Sequence, residues 1–411
     1  MQGSLFLFAT DLQDEGIETV LDNIQGRAGL HGATLACAYH HARDIFPHNP
    51  VRKVRFLEGG TVFFRPDPRR YAGSRITPRM SRLATEVDIL ARLMESAERR
   101  GLAVRAWTVY FHNTTLGSAY PDCAPQNVFG DPYLTNLCPA NPDVRAFARA
   151  LSSDIARYGV EAILAESLGF GGFDHGYHHE RSFLALSPVV RFLFGLCFCE
   201  HCLRAISAVG VDTARVQRFV RTALERVLAG EPDGLPEGEA TLATLAPLAD
   251  GELGGFLAAR QGIVTSLAAE VAEAVAAVGP TRFTPMDMSG AAKGYATGLP
   301  TGAPAAADAW KEGVDPAAVS QAAHALSVVG YARDPERLRR DLDAYAALLP
   351  ADRALSVALR PMLPDCDSAA NLAPKLALLR ERGVAWADFY HYGFVRLSAL
   401  DMIKEAWGHD A

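Results

Sequence analysis

The strongest chemical signal in the sequence is a cluster of three cysteines, Cys197, Cys199 and Cys202, which form a C-x-C-x2-C pattern. Thiolates at this spacing can converge on one tetrahedral metal ion, and zinc is the usual occupant of such sites. A structural zinc needs a fourth ligand, and a [4Fe–4S] cluster would need a fourth cysteine. In order of preference, the candidates for that position are Cys138, Cys123 and His201. The alternative is a set of partly buried thiols that hold no metal.

Two carboxylic acids stand at the ends of apolar runs and could act together as general acid and general base. Glu166 ends the run AILAE, and Asp287 ends the run TRFTPMD. Cleavage of a glycosidic bond uses two carboxyl groups, one protonated and one ionised, and burial raises the pKa of the protonated group. We therefore predict that Glu166 is the proton donor and that Asp287 is the nucleophile or base. The structural alternatives are a Glu166 paired with Arg or His and an Asp287 that caps a loop.

Polar and aromatic side chains also stand at the ends of nearly all the remaining apolar runs in the chain. A binding site that orients a polyhydroxylated ligand combines a few placed polar groups with aromatic surfaces. We therefore expect these side chains to contact a sugar. They are Asp11, His40, His112, Asn113, Tyr331, Arg360, Tyr390 and His391.

A histidine-rich segment, DHGYHHE, follows Glu166 closely. We predict that His175, His178 and His179 contact substrate hydroxyl groups. A plain polar loop is the first alternative, and a catalytic metal site is the second, because histidine-rich tracts bind metals. The spacing does not match a helical metal motif such as H-E-x-x-H.

Eight apolar runs, most of them followed by helical periodicity, must position these residues. The predicted strands are Ser4–Thr10, Ala33–Tyr39, Ala103–Tyr110, Ala162–Glu166, Thr281–Asp287, Ala325–Tyr331, Ala354–Arg360 and Trp386–His391. Continuous apolar runs are typical of a parallel sheet that is buried on both faces. Eight strand–helix units favour a (β/α)8 TIM barrel, whose catalytic groups lie at the carboxyl ends of the strands. A doubly wound open sheet is the alternative, but the glycine-rich fingerprint after the first strand is missing.

Three insertions are predicted in a single barrel domain that spans residues 1–411. Residues 51–67 are expected to form a β-hairpin around Glu58, Gly59 and Gly60, after the second strand. Residues 114–141 form a loop, and residues 167–279, after the fourth strand, hold the metal-binding loop and several helices. The basic hairpin could be a contact in a homo-oligomer or a solvated surface.

The composition excludes several classes of protein. Of the 411 residues, 49% are hydrophobic and 21% are charged, which excludes global disorder. The net charge of −7 argues against a nucleic-acid-binding protein, which would carry a basic stripe. No run approaches the roughly 20 apolar residues of a membrane helix, and the first residues do not have the pattern of a signal peptide. We therefore expect no membrane association and a cytoplasmic location.

The order of several motifs resembles glycoside hydrolases of family 42, the barrel β-galactosidases. The residues that carry the resemblance, in chain order, are Cys138, Pro139, Pro142, Arg145, Glu166, Cys197, Cys199 and Cys202. The resemblance covers about Phe129–Arg204 and the barrel pattern. It implies that the four cysteines hold a structural zinc and that Glu166 is the general acid/base.

The sequence also departs from that family at two positions. Ala165 stands where family members usually carry Asn before the acid/base residue. The seventh strand ends at Arg360 and Pro361, where the family has its nucleophilic Glu. The retaining galactosidase mechanism therefore does not transfer to this chain.

The predicted function is hydrolysis of a glycosidic bond in a small glycoside or oligosaccharide, as part of carbohydrate metabolism. One alternative is a metal-dependent isomerase, epimerase or lyase that acts on a sugar. The other is a carbohydrate-binding barrel without catalysis. Zinc bound only by thiolates would favour the hydrolase or the binding protein over the isomerase.

Overall fold

Eight parallel strands form a closed barrel in the computed structural model, which describes residues 1–174 and 179–408. Each strand pairs with the next along the chain, and the last pairs with the first, so the predicted (β/α)8 fold is confirmed. All eight strands lie where the apolar runs predicted them. They are β1 (Gln2–Leu7), β2 (Gly32–Tyr39), β3 (Ala103–Val109), β4 (Ala162–Glu166), β5 (Arg282–Asp287), β6 (Ala325–Val329), β7 (Ala354–Leu359) and β8 (Trp386–Phe389).

The helices begin and end at recognisable local signals. Asn141 accepts hydrogen bonds from two backbone N–H groups at the start of the helix Pro142–Ala156, where proline occupies the first turn. The α-helices are Ala9–Glu15, Ile17–Asp22, Leu83–Glu86, Ile89–Arg100, Thr114–Ala119, Pro142–Ala156, Pro188–Phe194, Glu200–Ser207, Thr213–Ala229, Leu242–Leu245, Glu252–Ala276, Ser289–Gly294, Pro316–Ala323, Pro335–Leu348, Ala369–Glu381 and Ser398–Gly408. Shorter turns of 3-10 helix are Pro68–Tyr71, Pro121–Cys123, Ala305–Glu312 and Tyr392–Phe394, and Asn23–Arg27 is a π-helix. None of the helices described here has the length and apolarity needed to cross a membrane.

The register of the strands decides which side chains face the inside of the barrel. Trp107 in β3 is level with Leu164 in β4, and Leu164 is level with Thr284 in β5. Side chains alternate between the two faces of a strand, and partners in register share a face. Glu166 follows Leu164 by two residues and therefore faces the lumen with Trp107. Asp287 follows Thr284 by three residues and therefore faces outward.

The hairpin after β2 differs from the prediction. Its strands are Ala42–Ile45 and Val54–Leu57, so its turn lies at residues 46–53, where Asn49 Oδ1 accepts two backbone N–H groups. The predicted turn at Gly60 has another use: its φ is +67°, and a Cβ there would lie 2.2 Å from Asn113 Oδ1. Glycine is required at this position by close approach and backbone conformation, and not by a hairpin turn.

A buried ion pair closes the amino-terminal end of the barrel. Arg105 and Asp388 are both inaccessible to solvent and bind each other inside the lumen. Ser4 Oγ donates to Asp388 Oδ1 at 2.6 Å, and Arg105 Nη2 donates to Ser356 Oγ at 3.2 Å. This network occupies the end of the barrel opposite the expected active site.

We expect Asp388→Asn to lower the free energy of unfolding by about 3–5 kcal/mol, because it removes the fully buried partner of Arg105 and leaves that charge only the partly exposed Glu161. Urea denaturation of the two proteins measures this loss. Asp401→Asn is the control, since Asp401 pairs with Arg27 at the exposed surface and should change the stability little. Equal effects of the two substitutions would contradict the role of the buried pair.

Candidate functional site

Glu166 lies at the carboxyl end of β4, partly exposed at the mouth of the barrel. Trp107 Nε1 donates a hydrogen bond to Glu166 Oε2 at 2.7 Å. Burial raises the pKa of Glu166 to about 7, and the hydrogen bond from Trp107 opposes that rise by favouring the ionised carboxylate. Glu166 can therefore gain or lose a proton near neutral pH. Trp107 is 2% exposed, so its indole both fills the core of the barrel and holds Glu166 in place.

Aromatic rings surround Glu166 and line the mouth. Tyr39, Tyr331 and Tyr390 each lie close enough to Glu166 for its charge to raise their pKa values, although burial is the larger cause. The ring of Trp107 makes edge contacts with Tyr39 and Tyr390 at centroid distances of 4.8 and 5.7 Å. Tyr331 and Tyr390 were among the predicted substrate contacts, so the structure brings these two together with the predicted acid. Aromatic walls around an ionisable group suit a sugar ring, which has apolar faces and polar edges.

Asp287 is not brought together with Glu166 inside the barrel. Its side chain is buried on the outer side of β5, where Ser289 N donates to Oδ1 at 2.9 Å and Tyr345 Oη donates to Oδ2 at 2.7 Å. Burial raises its pKa, and these hydrogen bonds lower it. Both carboxylate oxygens are engaged in contacts that join β5 to its following loop and to the helix Pro335–Leu348. This is the loop-capping arrangement that the sequence left open as the alternative.

Glu312 is a carboxyl group near the mouth that the sequence analysis missed. It ends the short helix Ala305–Glu312 in the loop after β5, and its charge interacts with those of Asp287, Glu166 and Arg260. Burial, followed by the charges of Asp287 and Glu166, raises the pKa of Glu312 to about 8. No sequence signal marks it, because it lies far from any strand end and belongs to no motif.

Four of the predicted substrate contacts are engaged in the protein itself. Asp11 is buried and accepts the backbone N–H of Phe8 at 2.8 Å, and burial raises its pKa to about 7. The remaining three are also buried. Their partners are Leu116 N for the Asn113 side chain, Asp365 for Arg360, and Gly393 N for His391.

The other predicted contacts occupy different places around the mouth. The His40 ring stacks on Tyr39 at 4.1 Å and meets the His112 ring edge-on at 4.8 Å. His112 is nearly buried, whereas His40 is partly exposed, so His40 is the ring of this pair that solvent can reach. His179 is exposed. His175 and His178 lie outside the described residues.

The four predicted metal ligands converge on one point. Cys138, Cys197, Cys199 and Cys202 are buried, and all four sulfur atoms lie within 4.8 Å of one another. Cys138 Sγ is 3.9, 3.6 and 3.4 Å from the other three sulfur atoms. A tetrahedral zinc with Zn–S bonds of about 2.3 Å separates its sulfur ligands by about 3.8 Å, so this donor set fits such an ion. The distances exclude disulfides, whose S–S bond is about 2.05 Å.

Arg260 connects the cysteine cluster to the region of Glu312. It lies on the helix Glu252–Ala276, is buried, and donates from Nη2 to the Lys311 carbonyl at 3.1 Å. Its guanidinium lies 4.5 Å from the ring centroid of Phe170 and interacts with the charges of Glu312 and three of the cysteines. The insertion after β4 therefore packs a positive charge between the cysteines and the loop that carries Glu312.

Neither a protein-family model nor a curated protein matches this sequence. Solved structures match its fold. The chain superimposes on a β-galactosidase from Marinomonas ef1 with a TM-score of 0.56 and 12% identity, over 99% of this chain and 58% of that one. It superimposes on the catalytic domain of a β-amylase from Paenibacillus polymyxa with a TM-score of 0.56 and 11% identity, over 98% and 97% of the two chains.

A third match is α-L-fucosidase isoenzyme 2 from Paenibacillus thiaminolyticus, with a TM-score of 0.52 and 13% identity, over 99% of this chain and 49% of that one. The chain thus spans about half the length of this fucosidase and somewhat more of the galactosidase. Identities this low show a shared barrel fold. That fold occurs in several kinds of glycosidase, and the matches do not single out family 42.

Proposed function

We propose that this protein is a glycoside hydrolase and that Glu166 is one of its two catalytic carboxyl groups. The observation that carries the proposal is the Glu166 carboxyl, partly exposed at the barrel mouth with a pKa of about 7 and enclosed by aromatic rings. A glycosidase needs a carboxyl group that can hold a proton near neutral pH beside a site for a sugar ring. The shared fold with three glycosidase structures supports the same assignment.

The substrate that we propose is a small glycoside or oligosaccharide. Tyr331 and Tyr390 are the predicted contacts that lie near Glu166, and His40 is a predicted contact that is partly exposed. Tyr295 is a further candidate, since it is exposed and its ring lies 4.9 Å from the guanidinium of Arg360. These aromatic side chains would contact the sugar ring and hold its anomeric carbon beside Glu166.

We also propose that the four cysteines hold a structural zinc ion. Cys138, Cys197, Cys199 and Cys202 would supply all four ligands, which leaves no open position for substrate. The metal would fix the insertion after β4 against the loop before the helix Pro142–Ala156. Its role is therefore in folding, and the hydrolytic chemistry belongs to the carboxyl groups.

The proposal is tested by screening the purified protein against aryl glycosides of common sugars, with both anomeric configurations represented. We expect release of the aryl alcohol from at least one of them, unaffected by EDTA at concentrations that leave the bound zinc in place. Conversion of a free sugar to its isomer, dependent on an added divalent ion, would instead support the metal-dependent isomerase. Binding of a sugar without turnover would support the non-catalytic barrel.

A further inference from the structure

We infer that Glu312 is the second catalytic carboxyl group, and that it holds the proton while Glu166 is ionised. This inference rests on the proposed glycosidase function and names the group that completes its site. Glu312 replaces Asp287 as the partner of Glu166. Glu312 also takes the role of proton donor that the sequence suggested for Glu166, and Glu166 becomes the base.

The backbone fixes Glu312 beside the segment that follows Glu166. The Glu312 carbonyl accepts the N–H of Phe170 at 2.8 Å. A Cβ at Gly169 would lie 2.4 Å from the same carbonyl, and a Cβ at Gly313 would lie 2.8 Å from the Phe170 ring. Two glycines therefore allow the loops after β4 and β5 to meet. Arg260 binds the preceding carbonyl, that of Lys311, and anchors the segment from its other side.

Exposure and bonding separate Glu312 from Asp287. A catalytic carboxyl must reach the substrate, and Glu312 and Glu166 are both partly exposed, whereas Asp287 is 1% exposed. Asp287 uses both oxygens in hydrogen bonds to the protein. The Glu312 carboxyl makes no hydrogen bond to any of the residues described, so its oxygens are available to a ligand.

The hydrogen bonds of the two groups indicate where the single proton resides. Glu166 accepts the indole N–H of Trp107, which stabilises a carboxylate, whereas no described residue donates a hydrogen bond to the Glu312 carboxyl. Among the described residues, the groups whose charges interact with Glu312 are Asp287, Glu166, Tyr345 and Arg260, and of these only Arg260 favours the ionised form of Glu312. The pKa values of about 7 for Glu166 and about 8 for Glu312 agree with this order. Two neighbouring carboxyl groups titrate together, so the pair would hold one proton between those two values.

In the proposed hydrolysis, Glu312 gives up one proton and Glu166 receives one. The bond from the anomeric carbon to the leaving oxygen breaks, and the leaving oxygen takes its electron pair together with the proton of Glu312. The anomeric carbon gains an oxygen from water, and the proton of that water passes to Glu166. One water is consumed, and a sugar and an alcohol are released.

The test compares substrates whose leaving groups differ in their need for a proton. Glu312→Gln should lower kcat/KM by about 10²- to 10⁴-fold for a phenyl glycoside, the usual contribution of a general acid, and by about tenfold or less for a 2,4-dinitrophenyl glycoside. Glu166→Gln should lower kcat/KM by a similar large factor for both substrates. Asp308→Asn is the matched control, because it removes one negative charge from the same short helix. Asp308 pairs with Lys293 and Lys311, so its loss should leave the difference between the two substrates unchanged.

The pH dependence gives a second, independent measurement. Wild-type kcat/KM should be bell-shaped, with its acid limb near pH 7 and its alkaline limb near pH 8, because only the singly protonated pair is active. Glu312→Gln, assayed with the dinitrophenyl glycoside, should lose the alkaline limb. If Glu312→Gln fails to fold by circular dichroism, Glu312→Asp keeps the carboxyl, and a rate loss that grows with the basicity of the leaving group is expected there too.

Other outcomes would overturn the inference, and they differ from failure of the proposed function. Wild-type activity that survives Glu312→Gln on both substrates would remove Glu312 from the reaction. If Glu166→Gln lowered kcat/KM only for substrates with poor leaving groups, Glu166 would be the proton donor. If Asp287→Asn lowered kcat/KM strongly and Glu312→Gln did not, Asp287 would be the second catalytic carboxyl group. Wild-type inactivity toward every glycoside would instead refute the proposed hydrolase and this inference with it.

Discussion

Replacing Glu166 by glutamine should reduce kcat/KM for glycoside hydrolysis by about 10³- to 10⁴-fold, near the upper end for a general acid–base residue. The fold should be preserved, because glutamine has the same shape and its amide oxygen can still accept the indole N–H of Trp107. The loss would thus arise from the carboxyl itself, which exchanges a proton or carries charge in the transition state. Steady-state kinetics on the best aryl glycoside measure this effect, and thermal unfolding checks the fold.

Glu161→Gln is the control for this prediction. Glu161 precedes the same strand as Glu166 but lies at the opposite end of the barrel, where it pairs with Arg105 and Arg282. Its substitution should lower stability and leave kcat/KM within a few-fold of the wild type. If Glu166→Gln retained more than a tenth of the wild-type kcat/KM, Glu166 would not be a catalytic carboxyl group.

Replacing Cys138 by serine should abolish tight metal binding and destabilise the protein by several kcal/mol. Structural zinc sites contribute about 10–16 kcal/mol of apparent binding free energy in small zinc-finger peptides, and much of that is free energy of folding. Cys138 Sγ lies 3.4–3.9 Å from the other three sulfur atoms, which suits a tetrahedral ion, so its loss leaves the ion with three ligands. Elemental analysis should find about one zinc per wild-type chain and almost none in the variant. Urea denaturation measures the change in stability.

Cys123→Ser is the matched control for the metal site. Cys123 lies near Cys138 in the chain and is buried, but it contacts Arg75 and is not one of the four clustered cysteines. Its substitution should leave the zinc content unchanged. Loss of zinc in Cys123→Ser, or retention of zinc in Cys138→Ser, would contradict the assigned ligand set. Iron with inorganic sulfide in the wild type would show a cluster in place of zinc.

The sequence by itself determined the barrel and the grouping of the cysteines. Strands that are buried on both faces are apolar at most positions, so the eight runs were visible without any knowledge of contacts. The order of strands in a (β/α)8 barrel follows the order of the chain, which gave the topology as well. The C-x-C-x2-C spacing confines three thiols to one neighbourhood, and Cys138, the first choice among three candidates, is the fourth member of the cluster.

Only the tertiary structure decided which carboxyl groups lie close enough for their charges to interact. A shift of one residue along a strand turns a side chain to the opposite face, so the strand end at Asp287 could not show whether its carboxyl faces the lumen or the outer helices. Glu312 reaches the mouth because a long loop returns across Gly169, and no local pattern encodes the path of such a loop. The position of the hairpin turn was predicted wrongly for the same reason. Gly60 is required by its close approach to Asn113 in another loop, which no local pattern shows. Local periodicity fixes the elements, whereas the partners of a loop residue depend on contacts between segments far apart in the chain.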